Sequence, residues 1–117
     1  MGVVATKSFS FALEIIKLYK FLSGAKKEYV LSKQVLRSGT AVGALIREAE
    51  HAQLKADFLH KMYIALKEAN ETEYWLMLLK AGEYIDTDRY RLLMASCKSI
   101  LRLLISIVNT TKISLNR

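Results

Sequence analysis

The 117-residue chain has no proline, one cysteine and five glycines, and each scarcity removes a class of fold. With glycine confined to Gly2, Gly24, Gly39, Gly43 and Gly82, hairpin and loop signals are few and long windows remain for helix. A lone Cys97 excludes an internal disulfide framework and fits a reducing cytoplasm; its apolar helical surroundings make it an inert core thiol. Long apolar runs are also missing. The longest, Ile100 to Val108, is interrupted by Arg102 and Ser106, short of the ~20 residues of a membrane span, and the N-terminus has no signal-peptide pattern. Acids are the minority, 11 against 18 lysines and arginines, for a formal charge of +7. A chain of this size is expected to form one domain, residues 1–117, with a single core. Its basic balance favours acidic partners such as nucleic acid.

What is present is helical periodicity. The stretch Gln34 to Glu50 places Val35, Ser38, Val42, Leu45 and Ala49 on one stripe, flanked by Gly39, Thr40, Ala41, Gly43 and Ala44. Two glycines in a helix cost roughly 1 kcal/mol each, so close packing against another backbone is expected in return. Before it, Ser8 to Leu22 carries Phe11, Ile15, Leu18 and Leu22 on one stripe and Phe9, Ala12, Ile16 and Tyr19 beside it, with Gly24 placed for a left-handed cap. Ser32 reads as the next N-cap. Asp57 to Ala81 has the cleanest heptad, Phe58, Met62, Ala65, Ala69, Thr72, Leu76 and Leu79, with Trp75 at its border where the indole N–H finds a polar partner. Asp86 caps a last helix whose stripe is Tyr90, Leu93, Cys97, Ile100, Leu104 and Ile107. Thr110 to Arg117 reads as a frayed tail.

Helices over about 8–23, 33–53, 57–81 and 87–109, joined by short connectors, predict an all-α, antiparallel up-down-up-down four-helix bundle. On the last helix Leu101, Leu103, Ile105 and Val108 widen the apolar side until little polar face remains. Together with the broad face of the first helix, this surplus predicts a homo-oligomer with those four residues at the interface.

The segments RSGTAVGALIREAE (Arg37 to Glu50) and ADFLHKMYIALKEANETEYWLMLL (Ala56 to Leu79) closely resemble the bacterial four-helix-bundle proteins encoded in intervening sequences of 23S ribosomal RNA genes, the S23-type ribosomal proteins. The resemblance runs from Phe9 to about Asn109. It implies a small all-α protomer that assembles into a ring, typically a pentamer. It extends to the accessory variability protein of diversity-generating retroelements, a basic ring that works with a reverse transcriptase and nucleic acid. The family supplies no catalytic residues. Leu45 stands where relatives often have asparagine, and Leu54 where a serine usually caps the third helix.

Binding of RNA or DNA is argued from charge. Lys33, Arg37, Arg47 and His51 lie near one polar side of the second helix, and Arg91, Lys98 and Arg102 share a side of the fourth at spacings of seven and four. Repeated around a ring, these stripes form a basic belt able to hold phosphate backbones with little sequence preference. The plain alternative is a set of solvated helix faces; the functional rival is a protein scaffold that docks an acidic partner. A metal enzyme is the third class, because Glu48 with His51 and Asp57 with His60 have the offset of di-metal ligands. Both pairs sit beside one connector rather than mid-bundle, and no nucleophile and base are arranged together, so neither metal, cofactor nor catalysis is expected. The cluster Glu68, Glu71 and Glu73 reads as a solvated face or a partner for a neighbouring subunit's cations.

Overall fold

In the computed structural model, which describes residues 2–117, the periodic segments form α1 (Val3–Gly24), α2 (Leu31–Glu50), α3 (Lys55–Ala81) and α4 (Thr87–Leu115). Each helix packs on its two neighbours around the bundle and none packs across a diagonal, the α1–α4 seam being the sparsest. The result is a four-helix bundle with extents of 51 × 22 × 21 Å. Its core follows the heptads closely. Phe11, Ile15, Leu18 and Leu22 from α1 meet Val35, Val42 and Ala49 from α2, and Met62, Ala65, Ala69, Leu76 and Leu79 from α3 meet Leu93, Cys97, Ile100 and Leu104 from α4. Ile46, rather than Leu45, is the fully buried residue late in α2.

The glycines of α2 serve close approach. A Cβ on Gly39 would lie 2.8 Å from Ile15 Cγ1, and one on Gly43 would lie 3.4 Å from Ser8 Oγ, so the small residues let the α1 backbone settle against α2 within one protomer. On its other side α2 meets α3 through buried hydroxyls: Ser38 and Thr72 are hydrogen-bonded at 2.8 Å, and Thr72 also lies 2.8 Å from the Glu68 carbonyl. Among the described residues no buried side-chain nitrogen or oxygen lacks a partner.

Several boundaries differ from expectation, each for a local reason. α1 starts at Val3 because Ala5 and Ser8 continue the buried stripe of Phe11. α4 runs to Leu115 rather than fraying after Asn109; Thr111 is buried because its hydroxyl donates to the Ile107 carbonyl at 2.7 Å, which hides its polarity. Ser32 lies inside α2 and does not cap it. Instead the Glu28 carboxylate accepts the Ser32 and Val30 N–H at 2.7 and 3.3 Å. Burial opposes the charge on Glu28, yet the N–H groups of Ser32, Leu31 and Val30 and the Ser32 hydroxyl outweigh it and hold the carboxyl below its ordinary 4.5. Gly24 remains right-handed: the left-handed residues are Lys27, with φ 56°, and Glu83, with φ 66°. Asp86 does cap α4, accepting the Arg89 N–H at 2.8 Å.

The apolar surplus on α4 is smaller than its sequence suggests. Leu101 and Val108 are only 7% and 3% exposed within the protomer and so are core residues, not interface residues. Leu103 is half-buried, and Ile105 alone of the four expected interface positions is well exposed, at 46%. By length and composition α4 is long and apolar enough to cross a membrane, contrary to expectation, because its serines and threonines dilute hydropathy less than charges do. Its apolar side is spent on the bundle core.

Candidate nucleic-acid interface

Arg91, Lys98 and Arg102 are all exposed on the outer side of α4. Their spacings of seven and four residues put them within a narrow arc and ~10 and ~6 Å apart along the axis. From Arg89 to Leu115 the sequence has five lysines and arginines and no acid, so nothing on this stretch of α4 neutralises them. None of the ion pairs among the described residues involves Arg91, Lys98 or Arg102. Glu73 on α3 and Lys98 on α4 both act electrostatically on Cys97 without pairing with each other. A further cation, Lys112, extends the row. It lies fourteen residues past Lys98, close to four helical turns, and its ammonium stands 5.7 Å from the centre of the Tyr63 ring. Reading the last residues as a frayed tail hides it; the signal available was the apolar spacing of Leu104, Val108, Thr111 and Leu115, with no proline or glycine to stop the helix.

The residues expected on α2 behave differently. Arg37 is held within the protomer: its guanidinium donates to Glu68 at 3.1 Å and to Glu71 at 2.7 Å. The hydrogen bond to Glu71 is the main cause that raises the Arg37 pKa further, against its partial burial. Trp75 sits at the border of the α3 stripe, as its spacing predicts, and its indole N–H donates to the same Glu71 at 3.2 Å. Glu68 and Glu71 therefore partner an arginine of their own chain. With two carboxylates on its guanidinium, Arg37 is not among the unpaired cations, contrary to its place in the expected phosphate-binding set. Lys33 and Arg47 remain exposed, Arg47 lining a groove between α1 and α2 with Phe9, Gly43 and His51. Since α2 and α4 are diagonal and do not touch, their cations face opposite ways, and one protomer presents no continuous belt. The row on α4 is the coherent one.

Other chemistry has less to work with. Burial is the chief cause that pushes the Cys97 thiol up to about 12, which keeps it protonated and unreactive at neutral pH. Among the described residues no three His, Cys, Asp or Glu gather to hold a metal, and Glu48 faces Lys61 at 3.6 Å instead. Apolar residues do reach the surface on α1, where Phe9, Leu13 and Ile16 are exposed at spacings of four and three, one stripe on the side away from the core.

Residues 3–106 match the family model of the 23S rRNA-intervening sequence protein. Among solved structures, a crystal structure from Bacteroides thetaiotaomicron VPI-5482, described as a protein with unknown function from the S23 ribosomal protein family, is 57% identical. The match covers 91% of this chain and 98% of that one, with a TM-score of 0.90. No curated protein matches significantly.

Proposed function

The chain belongs to the 23S rRNA-intervening sequence protein family, and from that premise we propose that it is a non-catalytic, self-associating accessory protein that binds the phosphate backbone of RNA or DNA along the outer face of α4. The observation that carries this reading is the row Arg91, Lys98 and Arg102, exposed on one side of a rigid helix and outside every ion pair among the described residues. Charged side chains with no protein partner, at helical spacing, meet phosphates as point contacts without reading bases. Binding of this kind is sequence-tolerant and weakens steeply with salt, through counterion release.

Self-association rests on a second surface. Phe9, Leu13 and Ile16 form an exposed apolar stripe on α1, and covering it with copies of the chain repeats the α4 row around an assembly, a pentameric ring in the family's manner. Such a ring works in the cytoplasm beside a reverse transcriptase or another protein of nucleic-acid metabolism. The scaffold reading, in which the same cations dock an acidic protein, makes the opposite prediction in one assay. Titration of a labelled RNA hairpin and a labelled DNA duplex near 50 mM salt, where electrostatic association is strong, shows binding on the nucleic-acid reading. Silence with both ligands overturns it in favour of the scaffold. Native mass spectrometry tests the assembly: a ring-sized species is expected, converted to protomers by Phe9→Glu with Leu13→Glu. A lone 13.3 kDa species for the unmodified protein contradicts it.

A further inference from the structure

At the far end of the α4 row, a pocket of about 320 Å³ opens between the start of α3 and the end of α4, lined by Ala56, Leu59, His60, Tyr63 and Lys112. Its chemistry is specific in kind. Leu59 and Ala56 give an apolar floor, and Tyr63, 46% exposed, presents an aromatic ring to solvent. Lys112 holds an ammonium 5.7 Å from the centre of that ring. No carboxylate lines the pocket. That ammonium stands over the ring, so a flat heteroaromatic group joined to an anion can draw it onto the anion and take its place on the ring face, whereas an aliphatic side chain of a protein partner would leave the cation unused.

Resting on the nucleic-acid reading above, we propose that this pocket receives an unpaired nucleobase of the bound strand, stacked on Tyr63, with Lys112 on the adjoining phosphate. Position supports it. Lys112 follows Arg102 by ten residues, ~15 Å along the same helix, so a backbone tracking Arg91, Lys98 and Arg102 reaches the pocket within two or three nucleotides of extended strand. A base paired in a duplex has its faces stacked and cannot enter; a bulged or single-stranded base can. The chain therefore discriminates unpaired from paired nucleic acid, which a row of cations alone does not do.

The test uses the full-length protein and two RNA duplexes of equal phosphate number, one fully paired and one carrying a single bulged 2-aminopurine. The unmodified protein is expected to bind the bulged RNA about tenfold more tightly, the scale of one base stacking on an aromatic ring, and to change the probe's fluorescence on binding. Tyr63→Ala should erase the preference and the fluorescence change while leaving affinity for the paired duplex as it was; Tyr63→Phe should keep both. Equal affinity of the unmodified protein for the two RNAs, or a preference that survives Tyr63→Ala, overturns the pocket and leaves backbone binding by α4 standing. Failure to bind either RNA overturns the pocket, and overturns backbone binding by α4 as well when duplex DNA is also left unbound.

Discussion

Arg37 on α2 and Arg102 on α4 are the same residue type on diagonally opposed helices, and the bundle uses them in opposite ways. At the α2–α3 seam, Arg37 meets Glu68 and Glu71, Glu71 also takes the Trp75 N–H, and Ser38 and Thr72 share a hydrogen bond beneath. Every charge there is answered within the chain. On the outer face of α4, Arg102 stands with Arg91 and Lys98 among residues of one sign, and no acid of the described chain pairs with them. A net charge of +7 therefore says less than its distribution: the seam pairs its charges within the chain, and the α4 face leaves its charges unpaired among the described residues.

If that division holds, damage to the seam appears in stability and damage to the α4 face appears in binding. The largest stability effect belongs to the apolar floor of the seam, where Leu76 is fully buried. Leu76→Ala should cost about 2 to 5 kcal/mol in chemical denaturation, without changing how binding depends on salt as long as the chain is folded. A loss below about 1 kcal/mol would mean that the α3 core face relaxes around the gap.

Next comes the direct contrast between the two arginines. Arg37→Ala should cost about 1 kcal/mol, modest because half of the side chain is exposed and the pair is screened; Arg102→Ala should stay within about 0.5 kcal/mol. Thermal or urea unfolding of the two variants side by side decides it. Equal costs would erase the distinction between engaged and available charge.

The smallest effect extends the comparison to an acid. Glu28 is engaged by the first N–H groups of α2, and its carboxyl is held below its ordinary 4.5. A lowered pKa in the folded state gives stability that is present above that ordinary value and lost as pH falls through the folded one. Glu28→Gln should therefore destabilise by about 0.5 to 1 kcal/mol at neutral pH, and the gap from the unmodified protein should close on acidification. A gap that is constant with pH would assign the loss to packing instead.

Much of this organisation is legible in the residues. The α3 heptad from Met62 to Leu79 predicts the buried face position by position, because small and apolar residues recur there at spacings of three and four without a break. The helix ends are less legible. Ser32 has the right type for an N-cap, but the chain enters α2 in a way that places Glu28 under the N–H groups, directly after a left-handed Lys27 that no local pattern announces. The same limit hid Lys112, since a buried Thr111 looks polar until its hydroxyl is seen to bond its own helix. At the candidate site, periodicity grouped Arg91, Lys98 and Arg102 correctly on one side of α4. It could not tell that Arg37 has acidic partners on α3, because Glu68 and Glu71 are 31 and 34 residues away in sequence. Nor could it tell that Leu101 and Val108 turn toward the core: α4 is apolar on most sides, and only the placement of α3 chooses among them.

On the proposed reading the α4 row, and not the total charge, carries nucleic-acid binding. It is tested by the slope of log affinity for duplex DNA against log salt concentration, taken for the unmodified protein, for Arg91→Gln/Lys98→Gln/Arg102→Gln, and for a control with the same change in charge at Lys20, Lys26 and Lys27, all exposed and away from the candidate site. Each phosphate contact contributes about 0.9 to the slope, so the α4 variant should have a slope shallower by about 2 to 3 while the control keeps the slope of the unmodified protein. Equal loss of slope in both variants would show that only net charge matters and that the α4 row has no special part in binding.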